Sequence, residues 1–195
     1  MLARGFKTRC ENISLQLRRE SGLLKTDPLS YEALAKNLNV LLLKPADIIG
    51  LSPKSVMLLL GRAKNAWSAV TISFDGFEVV IYNSSHSRYR QSNDIMHELS
   101  HILLGHEPSK IIVSPNVGYV LREYNEVMES EASWLAGCLL LPREVLLHIK
   151  SVGMNAVNAQ KIYEVSGDLL QYRLNVTGVN FQIKRMSPWS RRRTH

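Results

Sequence analysis

The order of patterns along this chain predicts an α+β fold: a small β-sheet with a hairpin, packed on a helical core and followed by C-terminal helices. Three observations predict it. Two β-branched and aromatic runs meet at Asp75-Gly76 in "WSAVTISFDGFEVVIYN". An apolar helical stretch, "NDIMHELSHILLGHEP" at residues 93 to 108, follows the hairpin. Further helical patterns occupy most of what remains, giving a small sheet and then several helices.

Each element has a local reason. "TDPLSYEALAKNL" predicts a short helix with Asp27 as its cap and Pro28 in the first turn, where a missing N–H is harmless. "VLLLKP" at 40–45 is an apolar run suited to a buried strand. "LSPKSVMLLLGR" starts a helix at Ser52-Pro53 and stops it at Gly61. Asp75-Gly76 tolerates the positive φ angles of a tight hairpin turn. The polar loop "SSHSRYRQS" leads to the central helix, expected to be capped by Ser92 or Asn93 and ended by Gly105 and Pro108. After an irregular piece containing "IIVSPNVGYV", a helix is expected from about Glu123 to Leu141, stopped by Pro142, and another from Arg143. "NAQKIYEVSGDLLQYRLNVTG" reads as two short amphipathic helices broken at Val165-Ser166, a pattern like a helix-turn-helix. The expected divisions are a basic N-terminal segment (1–26), a core (27–150), a C-terminal helical region (151–183) and a flexible basic tail (184–195).

The 195 residues suffice for one well-packed domain with a small appendage. No apolar run approaches the roughly 20 residues that cross a bilayer, which argues against a membrane protein. The N-terminus lacks the apolar core of a secretory signal, and Cys10 and Cys138 form no CxxC, so a reduced, cytoplasmic protein is expected. The net charge of +7 belongs to the ends: residues 1–25 carry +4, the tail from Lys184 carries +5, and the rest carries −2. Such ends either touch nucleic-acid phosphates weakly, with Arg185, Arg191, Arg192 and Arg193 as candidate DNA contacts, or stand as solvated termini.

The central helix carries the chemistry. Residues four apart project from one helix face, so His97 and His101 can aim their imidazoles at one point. A Zn2+ ion would sit there roughly 2.0–2.1 Å from each nitrogen. Glu98 borders that point and is placed to take a proton from water, the H-E-x-x-H logic of zinc metallopeptidases. With six His and twelve Glu, chance produces this motif in about one such sequence per hundred. Burying two histidines and a glutamate among Ile95, Met96, Leu99, Ile102, Leu103 and Leu104 without partners is costly, and a metal satisfies all three. The alternative is a helix whose core histidines are hydrogen-bonded.

A third ligand is needed. His106 lies five residues after His101, on another part of the helix surface, and reads as a polar residue at the helix end. The pattern HExxHxxGxxH fails, because Gly105 and His106 follow His101 at four and five residues. "YNEVMESEASWLAGCLLLP" is the better source: Glu129 shares its face with Ala132, Ser133 and Ala136, small residues that permit close packing. Glu131 lies about 160° away from Glu129, beside Trp134 and Leu135. Only one of them should reach the metal, and packing favours Glu129. The other carboxylates suit solvent near a helix N-terminus.

A strand hairpin, then "HELSHILLGH", then "ESEASWLAGCLLLPR" resembles the ImmA/IrrE family of zinc metallopeptidases, over roughly residues 27 to 180. The resemblance implies a zincin-like, gluzincin-type fold and cleavage of regulatory proteins such as repressors. It also implies His97, His101 and Glu129 as ligands and Glu98 as catalytic base. The fifth position of the second motif, commonly Asn or Asp in that family, is here Ser133, which is shorter and uncharged but still able to hydrogen-bond a ligand histidine. Some members carry a helix-turn-helix, and 156–176 matches that arrangement loosely, although paired helices that buttress the active-site helices would look alike.

The reading that results is an intracellular zinc-dependent endopeptidase acting on a protein substrate, a regulator or repressor. The edge of the hairpin sheet would take the substrate as an added strand, and Tyr119 or Tyr124 are weaker candidates for oxyanion stabilisation. The alternatives are a DNA-associated transcriptional regulator and an inactive metal-binding scaffold on the same core.

Overall fold

The computed structural model describes residues 2–74, 76–106, 111–113, 120–122 and 125–186. Helix α1 (Phe6–Glu20) and helix α2 (Tyr31–Asn37) precede strand β1 (Val40–Leu43); helix α3 (Pro53–Leu60) leads to the hairpin strands β2 (Ala69–Phe74) and β3 (Phe77–Tyr82). Helix α4 (Arg88–Leu104) is followed by the short strands β4 (Ile111–Val113) and β5 (Val120–Arg122) and by helix α5 (Glu126–Leu140). Helices α6 (Arg143–Ser151), α7 (Ala156–Tyr163), α8 (Gly167–Val176) and α9 (Val179–Met186) complete the order.

The main sheet has the order β1-β3-β2. The hairpin pairs Ala69 with Tyr82 through Phe74 with Phe77, and Gly76 adopts the positive φ of 79° that a tight turn requires. Strand β1 joins β3 in parallel, Val40 beside Glu78. It is an edge strand, and Leu41 is 53% exposed, so the apolar run is only partly buried. The piece expected to be irregular contains the antiparallel ribbon β4–β5, Ile111 opposite Arg122.

Helix α4 packs on α5 at the centre of the molecule. Ile95, Met96 and Leu99 meet the core that also holds Leu135, Ala136 and Leu139, all at most 2% exposed. Each fully buried aliphatic side chain of this kind contributes about 1.5–3 kcal/mol relative to exposure. The small Ala132 and Ala136 let the two helices approach.

Several expected boundaries move. Helix α2 is capped by Ser30, whose hydroxyl accepts from Ala33 N–H at 3.2 Å. Asp27 instead closes the preceding turn by accepting from Leu24 N–H. Helix α4 begins at Arg88 with Ser87 as cap, not at Ser92 or Asn93, and adds an exposed polar turn that apolar periodicity does not register. Helix α5 starts after Asn125, whose side chain accepts from the N–H groups of Val127 and Met128. Ser52 and Gly61 bound α3 as expected, and Ser166 caps α8.

Helix α1 has no counterpart in the sequence reading. Its buried stripe is Phe6, Cys10, Ser14 and Arg18, spaced by four but half polar. The polar half satisfies the last carbonyls of α5, which have no partner within that helix. Ser14 Oγ donates to Cys138 O at 2.6 Å, and Arg18 Nη2 donates to Leu139 O at 2.8 Å. From α8, Arg173 Nε donates to Leu141 O at 3.0 Å, and its Nη2 pairs with Glu11 at 2.6 Å. Desolvation pushes the Arg18 guanidinium down to about 10. The N-terminal basic residues are therefore not all solvated. Cys10 and Cys138, distant in sequence, are buried free thiols, and Cys138 Sγ donates to Glu11 Oε1 at 3.5 Å.

The stretch Glu126–Ser151 has the length and composition of a membrane span, but 67% of its most apolar window is buried within the protein, as in a core helix. Glu126, Glu129, Glu131 and Pro142 interrupt it, which is why it does not read as an apolar run.

Candidate metal centre

Helices α4 and α5 bring three donor groups to one place. His97 Nε2 lies 3.0 Å from Glu129 Oε2, His101 Nε2 lies 3.1 Å from His97 Nε2, and His101 Nε2 lies 3.7 Å from Glu129 Oε2. The two histidines share a face because they are four residues apart on α4. Glu129 reaches them from the first turn of α5, where Asn125 caps the helix and fixes where that turn begins. The side chains are 22%, 16% and 20% exposed, enough to admit a small ligand while keeping the donors largely desolvated.

The donor set fits a divalent ion. Two imidazole nitrogens and a carboxylate oxygen stand within 4.8 Å of one another. Ligands about 2.0–2.1 Å from one tetrahedral ion are separated by about 3.3 Å, close to the three distances here. Hydrogen bonds alone satisfy such a triangle poorly, since each imidazole Nε2 faces both the other ring and the carboxylate. A cation satisfies all three edges together.

The imidazoles are held from behind. Ser133 Oγ is 3.3 Å from His97 Nδ1. His106 Nδ1 is 3.0 Å from His101 Nδ1, and His106 Nε2 is 3.2 Å from Glu131 Oε2. Glu131 is thus partnered by a histidine at 20% side-chain exposure rather than standing in solvent. Glu98 turns towards the sheet: it is 5% exposed, and its Oε2 accepts from the Thr71 hydroxyl on β2 at 2.5 Å.

Sequence reasoning did not single out Thr71, nor any role for His106 and Glu131 in the site. Thr71 carried no local signal, since only the packing of α4 on the hairpin reveals its partner. His106 did carry one, in the glycine immediately before it. Of the candidate DNA contacts, Arg185 is exposed at the end of α9, whereas Arg191, Arg192 and Arg193 lie outside the described residues, as do Tyr119 and Tyr124. Helices α7 and α8 break where expected, and Ala159, Tyr163, Leu170, Arg173 and Leu174 are buried in the fold.

The α+β scaffold thus brings two histidines of one helix and a carboxylate of the next into a group that could hold a metal ion. The sequence profile of the Peptidase M78 family, described as an IrrE N-terminal-like domain, matches residues 60–175, and the chain belongs to this family. No curated protein matches the sequence. Among solved structures the chain is similar to a Mycobacterium tuberculosis transcriptional regulator, with a TM-score of 0.47 and 12% identity. That similarity covers 89% of this chain and 47% of the other, so this chain spans about half the length of that protein.

Proposed function

We propose that this protein is a zincin-like, zinc-dependent endopeptidase of the cytoplasm that hydrolyses a peptide bond in a regulatory protein such as a repressor. The observation that carries the reading is the convergence of His97, His101 and Glu129 within 4.8 Å, together with membership of a peptidase family. In this reading those three residues hold Zn2+, Ser133 steadies His97, the core comprises residues 27–150, and residues 1–26, 151–183 and 184–195 flank it.

Zinc at such a site supplies Lewis acidity, lowering the pKa of a bound water towards about 7 and polarising a carbonyl. The remaining work falls to side chains of this chain. Glu98 takes the proton of the attacking water and delivers it to the departing amine. The Thr71 hydroxyl, donating to its Oε2, fixes the plane of the carboxylate. Strand β2 lies at the edge of the main sheet, and an extended substrate segment aligns there as an added strand.

The test is Glu98→Gln. Zinc uptake is expected to match wild type while cleavage of the cognate protein is lost, because only proton transfer is removed. Cellular proteins that persist in a strain carrying Glu98→Gln identify the substrate. Normal cleavage by this variant would overturn the mechanism.

A second reading, a DNA-associated regulator, is favoured by the +5 charge of residues 184–195. Salt-sensitive DNA retention lost on truncation after Ile183 would support it, and retention without sequence preference would indicate phosphate attraction alone.

A further inference from the structure

The C-terminal end of α4 brings a third histidine to the centre, by a route that helical spacing alone does not reveal. Gly105 adopts φ 67° and ψ 31°, the left-handed conformation that reverses a helix end. Its N–H donates to Ile102 O at 3.0 Å, and the N–H of His106 donates back to His101 O at 3.0 Å. This paired closure is the Schellman arrangement, which sets the residue after the glycine over the residue five positions before it. An apolar contact commonly occupies that position. Here it is His106 on His101, ring centroids 5.0 Å apart.

The hydrogen bonds that follow run in one direction. His101 Nε2 faces His97 and Glu129, so it must keep its lone pair if it is to bind a cation. Its proton then sits on Nδ1 and is donated to His106 Nδ1 at 3.0 Å. His106 must therefore carry its own proton on Nε2, which donates to Glu131 Oε2 at 3.2 Å. Each donor meets an acceptor, and the series ends on a carboxylate. The intervening His106 side chain is only 7% exposed, so water competes poorly for these bonds.

We propose that His106 and Glu131 are positioning residues that lock His101 in the tautomer presenting Nε2 to a divalent cation. This rests on the reading of the site as a metal centre. The inference assigns different tasks to the two glutamates of "ESE": Glu129 faces the donor cluster, and Glu131 anchors the histidine behind it.

The experiment is a cobalt(II) titration of the full-length protein, followed by the visible ligand-field absorption of the bound ion, with thermal unfolding as a check on folding. Two variants separate hydrogen bonding from packing. His106→Phe keeps a ring but no hydrogen-bonding atom, and is expected to weaken cobalt affinity by about 10–100-fold, as loss of an outer partner of a ligand histidine commonly does. His106→Gln can accept from His101 Nδ1–H through Oε1 and donate to Glu131 through Nε2, and is expected to stay close to wild type with an unchanged spectrum. Wild-type affinity in His106→Phe, or His106→Gln no better than His106→Phe, would overturn the proposal. Wild-type protein that takes up no cobalt, or no more than His97→Ala, would overturn the metal reading itself and the inference with it.

Discussion

Thr71, in the middle of β2, donates its hydroxyl to Oε2 of Glu98 at 2.5 Å, so the sheet directly holds the buried carboxylate of α4. A glutamate that is 5% exposed needs such a partner. The bond also couples the strand that would align a substrate to the group that would move its proton. Replacing Thr71 with Val keeps the branched shape and removes the hydroxyl. Thr71→Val is expected to lose about 1–3 kcal/mol of stability in denaturant unfolding and to lower turnover while leaving metal uptake close to wild type. Unchanged stability and unchanged turnover would make Thr71 a bystander.

The two glutamates of α5 are expected to differ in kind. Glu129→Ala removes a donor of the cluster and should nearly abolish zinc retention. Glu131→Ala removes only the anchor behind His106, and a loss of about 10–100-fold is expected. This departs from the solvent role that the sequence suggested for Glu131, and the reason is its contact with His106 at 3.2 Å. Competition against a chromogenic chelator measures both. Equal losses would reject Glu129 as the distinguishing ligand.

Removing the metal should lower the melting temperature. A ligand that binds only the folded protein stabilises it by about 2.7 kcal/mol when free ligand is a hundredfold above Kd. Zinc added back after chelation is therefore expected to raise the melting temperature of wild type and of Glu98→Gln alike, but not that of His97→Ala. A zinc-induced shift that survives in His97→Ala would place the ion elsewhere.

Arg18 offers a test of the scaffold away from the site. Its guanidinium donates to Leu139 O, Asp27 O and Ser14 Oγ while fully buried. Arg18→Met fills similar space and removes the donor to Leu139 O at the end of α5 and to Asp27 O ahead of α2, each worth about 1–3 kcal/mol. Denaturant unfolding with an unchanged slope should show a loss on that scale. A neutral result would mean that water reaches those carbonyls.

The legible parts of the fold were those with a local chemical signature. Ser52-Pro53, Gly105 and the break at Ser166 mark element boundaries through capping or positive φ, Gly61 marks one because a Cβ there would meet Met57 O, and the structure keeps them. Helix α4 starts earlier than its apolar period implies because Ser87 caps a first turn that carries the exposed Arg88 and Arg90. Helix α1 was missed for a related reason: its inner stripe includes Ser14 and Arg18, which look like surface residues until carbonyls 124 and 121 positions away in sequence accept their protons.

The sequence by itself determined the pair His97 and His101 on one helix face, because a four-residue spacing in an α-helix leaves little angular freedom. It also determined Glu98 beside them, and small residues on α5 that admit close approach. Tertiary structure decided which acceptors and donors meet: Glu129 against the imidazoles, Thr71 against Glu98, and Glu131 behind His106. Those pairings depend on how α5 and β2 dock against α4, and a docking geometry sums many weak contacts spread over the whole chain, which no short stretch of residues encodes.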